Sequence, residues 1–89
     1  MDEPVIVILR WEGDPDRVLP RYEKAVDIWR QRFASRGPAQ TFAGASERGG
    51  VVVVNVFAHD QDHLMFGRNM GDPLAAVGLP TPSIEHITT

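Results

Sequence analysis

Residues 59–63 read HDQDH, two histidines and two aspartates in five positions, directly after the apolar run VVVVNVFA at 51–58. An imidazole changes charge near neutral pH, so such a cluster suits a general base or a metal ligand. A metal reading pairs His59 with His63, four residues apart, and completes the site with an aspartate. A structural reading makes His59 or Asp60 the N-cap of a helix and Asp62 a favourable negative charge in its first turn. His59 then precedes the helix, so helical spacing does not bring the two imidazoles together, and no metal site is expected. His63, Phe66 and Met70 follow at spacings of three and four, which places His63 on the inward stripe of that helix.

The other chemistry-bearing residues are few. The chain has 89 residues, no cysteine and a formal charge of −3. Without cysteine there is no disulfide, no thiolate nucleophile and no thiolate-held metal centre. The negative charge argues against a nucleic-acid or anionic-membrane partner. Arg30, Arg32 and Arg36 fall in the last turns of a predicted helix, where cations oppose the negative end of its dipole. The start MDEPVIVILRWEGD matches neither a signal peptide nor a membrane span, and a soluble, cytoplasmic protein is expected. No glycine loop of phosphate-binding type and no nucleophile elbow is present, so no cofactor is expected.

The elements that must position these groups form one domain, residues 1–89. PVIVILRW (4–11) is a β-branched first strand. Asp14 and Pro15 then read as N-cap and first helical residue. Val18, Tyr22, Val26, Trp29 and Phe33 share one face of a helix running to about Arg36, with Pro20 a flaw near its start, Gly37 as its cap and Pro38 as its stop. A weak strand at 39–46, the turn ERGG and the strand at 51–58 make a hairpin. A second helix spans about Asp60–Asn69, a further helical turn lies around Leu74–Val77, and SIEHIT (83–88) is a last strand. The order β-α-β-β-α-β predicts an α+β, ferredoxin-like fold: a four-stranded antiparallel sheet with its helices on one face. Residues 5–9 and 51–54 are apolar at every position, whereas one-sided strands alternate. The second sheet face therefore needs a cover, and a second copy of the chain, making a homodimer, supplies it.

Element order, size and the apolar second sheet face together resemble the dimeric α/β-barrel superfamily, which includes antibiotic-biosynthesis-type monooxygenases, some polyketide cyclases and small actinobacterial proteins. The likeness to this last group runs through EGDPD before the first helix, the passage VVNVFAHDQDHLMF and the ending GLPTPSIEHI, and covers almost the whole chain. Where the oxygenase branch often has tryptophan, serine and histidine, this chain carries Phe57, His59 and Phe66. The resemblance implies a small-molecule pocket between each sheet and its own helices. His63 and Asn55 are the expected catalytic residues, His63 as general base and Asn55 orienting an enolate oxygen. Tyr22, Trp29, Phe57, Phe66, His86 and Arg10 are the expected lining. The ligand class implied is an aromatic or polyketide-like metabolite, taken through cofactor-independent oxygenation, cyclisation or isomerisation. The alternative is a non-catalytic homodimer that binds a hydrophobic small molecule or a partner protein, favoured by apolar Leu64 and Met65 on the outer side of the second helix.

Overall fold

The two valine- and isoleucine-rich runs occupy the centre of the sheet, as strands lined by apolar groups on both faces must. The computed structural model describes residues 4–33 and 37–88. In chain order the elements are β1 (Val5–Trp11), α1 (Pro15–Arg32), β2 (Gln40–Ala45), β3 (Val51–Phe57), α2 (Asp60–Asn69), α3 (Gly71–Ala76) and β4 (Ser83–Thr88). The strands lie in the order β2-β3-β1-β4, with every neighbouring pair antiparallel. The fold is α+β and consistent with a ferredoxin-like arrangement.

Register decides which residues share a face. Odd positions of β1 and β3 turn towards the helices, and Val5, Val7, Trp11, Val51, Val53, Asn55 and Phe57 are all buried there. Val7 pairs with Asn55 on one side and His86 on the other, while Asn55 pairs in turn with Thr41. Thr41, Asn55, Val7 and His86 therefore form one row across the helix side of the sheet. On the opposite face the row one residue along is Phe42, Val54, Ile8 and Glu85.

Helix α1 starts as its sequence dictates. Asp14 Oδ1 accepts from the Asp16 backbone N–H at 3.0 Å, and Pro15 follows as the first helical residue. Pro20 lies inside the helix, where it has no N–H to give the Asp16 carbonyl; Asp16 is exposed, at the start of the helix. The helix ends earlier than expected, at Arg32. Phe33 turns into extended backbone, φ −126°, and its N–H donates to the Trp29 carbonyl. Gly37 has no positive φ and is not the cap. The expected last turn around Arg36 falls on residues 34–36, outside the described residues. The physical reason for the early stop is local: the Phe33 ring packs 6.4 Å from Trp29 and against the core instead of continuing the helix. The buried stripe of α1 is Val18, Tyr22, Ala25 and Trp29, with Ala25 in the seam that Val26 was expected to share.

The β2–β3 hairpin turns through Gly49 and Gly50, at φ 95° and 76°, with Ser46 and Gly50 closing it by a 3.0 Å backbone hydrogen bond. A Cβ on Gly50 would collide with the Trp11 carbonyl oxygen. Gly50→Ala is therefore expected to lower the urea-unfolding free energy by about 1–3 kcal/mol, since it adds both strain and a backbone clash; Gly49→Ala, with open space around it, should cost less. After α2, Met70 leads directly into α3, longer at its start than the turn expected at Leu74–Val77. Trp11 Nε1 donates to the Pro80 carbonyl at 2.8 Å, which ties the segment after α3 to the end of β1. No helix among the described residues is long and apolar enough to cross a membrane.

Candidate functional site

Beneath α2, between that helix and the sheet, lies a cavity of about 310 Å³. Phe57, Phe66, Met70 and Leu74 form much of its apolar wall, and Tyr22, Asn55, His63 and His86 supply its polar groups. Each arrives from a different element: Tyr22 from α1, Asn55 from β3, His63 from the first turn of α2 and His86 from β4. The odd-position face of β3 carries Asn55 and Phe57 together, and the pairing of Val7 with both Asn55 and His86 sets the last residue on the same side.

The histidines meet. His63 Nε2 and His86 Nε2 are 3.1 Å apart, so one donates its proton to the lone pair of the other. Their rings stand edge to face at 4.9 Å, and the Phe57 ring lies 5.5 Å from His63. Asp60 Oδ1 lies 3.6 Å from His63 Nδ1, too far for a hydrogen bond, and Nδ1 is buried without one. Either His59 or Asp60 was expected to cap α2. His59 is the N-cap residue, without a side-chain capping bond, and the Asp60 carboxylate stands beside His63. Among the described residues no group of three or more His, Asp and Glu is arranged to hold a metal ion.

On the cavity's other side the polar groups form a chain. Thr41 Oγ1 donates to Asn55 Oδ1 at 2.6 Å, and Asn55 Nδ2 donates to the Tyr22 hydroxyl at 3.4 Å. Asn55 is 1% exposed, so an amide at this position must find its partners within the protein. Burial pushes the Tyr22 phenol above its ordinary value of 10.0, opposed by the Asn55 hydrogen bond and the Arg30 charge. Because the folded state holds this proton more tightly than the unfolded chain, its contribution to stability is complete below about pH 10 and is lost as pH rises through the raised value. Absorbance at the phenolate band should show Tyr22 ionising later than free tyrosine, and Tyr22→Phe should flatten the alkaline loss of melting temperature.

Two expected lining residues lie elsewhere. Trp29 borders a neighbouring cavity and meets the Phe66 ring edge-on at 4.9 Å. Arg10 is on the other face of the sheet, paired with Glu85 at 3.2 Å, because an even position in β1 points away from the helices. Thr41 was missed as a site residue. Its signal is the hairpin register: a turn at ERGG that pairs Ala45 with Val51 also pairs Thr41 with Asn55. Asp60 was missed as a neighbour of His63, although i, i+3 spacing puts the two on one helix face.

Chemically, the cavity sets two imidazoles sharing a proton against a neutral hydroxyl and amide, with aromatic walls between them. That arrangement can remove a proton from a flat, apolar molecule and hold the oxygen on which charge develops. No protein-family model matches the chain, and no curated protein is significantly similar to it.

Proposed function

We propose that this chain is a homodimeric protein that takes an aromatic or polyketide-like metabolite into the cavity beneath α2 and promotes its oxygenation, cyclisation or isomerisation by proton transfer, without a bound cofactor. The observation that carries the reading is the convergence of His63 and His86 with Tyr22 and Asn55 on one aromatic-walled cavity, drawn from four separate elements. In the step proposed, a C–H next to a ligand carbonyl gives its proton to the histidine pair. The electron pair moves into the enolate, whose oxygen takes a hydrogen bond from the Tyr22–Asn55 side. The resemblance to the dimeric α/β-barrel superfamily supports the same placement of a pocket. Dimerisation is supported by the open sheet face, where Ile6, Ile8, Val52, Val54, Val56, Phe42 and Ile87 lie together and Phe42 is 62% exposed.

The test uses 2-tetralone, a flat ketone with an acidic C–H. In deuterated buffer the protein should speed exchange of the C–H next to the carbonyl, read as loss of its proton signal. Saturable binding without faster exchange would remove the proton-transfer claim and favour a non-catalytic binding module. The absence of both would overturn the cavity as a site. One observation favours the binding-module reading: Leu64 and Met65, on the outer side of α2, are 52% and 43% exposed, which suits a protein contact better than a solvated helix face.

A further inference from the structure

The cavity beneath α2 has a buried floor and an exposed mouth. Asn55 and Phe57 are buried within it, whereas Gly67, Gly71, Ile84 and His86 border it and are exposed. β4 is an edge strand, and Ile84 pairs with Leu9 as His86 pairs with Val7, so both stand on the helix side of the sheet. Ile84 is 53% exposed there, a large apolar side chain that no helix covers.

The fold explains neither glycine across the mouth. Gly67 and Gly71 have no positive φ, so their backbone conformation does not require glycine. A Cβ at either would meet nothing within 4 Å beyond its own turn of helix, so packing does not require it. Glycine inside a helix is less stable than alanine, and Gly67 lies within α2, which it weakens. It follows His63 by four residues and precedes Met70 by three, and both of those side chains reach the cavity. A side chain at 67 would therefore stand on the same helix face and narrow the mouth.

We infer that Gly67 and Gly71 determine which ligands the cavity accepts: their missing side chains leave the mouth open to an apolar extension of the ligand, which lies over Ile84. This rests on the cavity beneath α2 being the site proposed above. The substrate class narrows to a flat ketone with a further apolar ring or chain on the side away from its carbonyl. The carbonyl oxygen points to Tyr22 and Asn55 at the floor, and the extension leaves between the glycines and β4. Covering Ile84 takes apolar surface out of water, which favours the longer ligand.

The experiment measures binding of 2-tetralone and 6-phenyl-2-tetralone to the full chain by titration calorimetry. The wild type should bind the phenyl compound about tenfold more tightly, the size expected from partial burial of the added ring. Gly67→Leu should bind the two compounds alike, because its side chain occupies the path of the extension. Gly67→Ala should raise the melting temperature, since alanine favours the helix and its methyl group meets nothing. Should Gly67→Leu fail to fold, Ile84→Thr, at an exposed position on the opposite side of the mouth, decides in its place by losing or keeping the preference. A preference kept in the variant, or a lower melting temperature in Gly67→Ala, overturns the proposal. Equal binding of both compounds by the wild type overturns this proposal alone and leaves the cavity standing as a site. Binding of neither compound overturns both.

Discussion

Val54→Asp is expected to convert the protein from dimer to monomer. Val54 lies at the middle of the open sheet face, with Ile8 opposite it on β1 and Phe42 opposite it on β2. In the proposed dimer a carboxylate there would be buried without a counter-ion, which costs about 4 kcal/mol, or roughly a thousandfold in Kd. Val52 is a poorer choice. It pairs with Arg10, whose guanidinium could neutralise the new charge. Val53 would report on something else, because it is fully buried under the helices and a charge there would unfold the monomer. Leu64→Asp, on the outer face of α2, serves as the control and should leave the dimer intact if the sheet face is the interface. Sedimentation at micromolar concentration reads all three proteins. A wild-type monomer, or a dimer lost with Leu64→Asp and kept with Val54→Asp, would sink the sheet-to-sheet assembly.

His63→Phe is expected to abolish turnover while leaving the fold at least as stable. The side chain sits among Phe57, Phe66 and Met70, and its Nδ1 is a buried polar atom without a hydrogen bond, so a phenyl ring removes a cost rather than adding one. Loss of a general base lowers a proton-transfer rate by about 10²–10⁴-fold. His63→Gln keeps a polar group of similar reach but no base. Its expected pattern is near-normal binding of 2-tetralone with exchange as slow as in the phenylalanine variant, a split between binding and rate that a packing role would not produce. Equal exchange in wild type and both variants would remove His63 from the chemistry.

Much of the scaffold was legible because local rules and tertiary structure agree. Asp14 and Pro15 start α1, the two glycines turn the hairpin, and the unbroken apolar runs become the central strands. The site was legible in part. His63 followed from helical spacing, and Asn55 with Phe57 from strand alternation. Arg10 and His86 could not be assigned to a face, because β1 is apolar at every early position and offers no polar residue to mark parity, while the register of β4 depends on contacts with β1 far away in the chain. The pairing of His63 with His86 joins residues from α2 and β4 and is set by that register. HDQDH is a helix start, with His59 as the N-cap residue and Asp62 in the first turn, and in addition the Asp60 carboxylate stands beside His63. The end of α1 was misjudged because Gly37 and Pro38 are strong stop signals, yet the helix yields four residues earlier to the packing of Phe33.

The claim that the cavity beneath α2 is the working site is tested most directly by mapping 2-tetralone onto the protein with ¹³C and ¹⁵N spectra. The account predicts saturable shifts at the His63 and His86 rings, the Asn55 side-chain amide and the Gly67 backbone, with the open sheet face and the Leu64–Met65 surface unmoved. Shifts confined to Leu64 and Met65 or to the open sheet face, or no saturable shift at all, would contradict it.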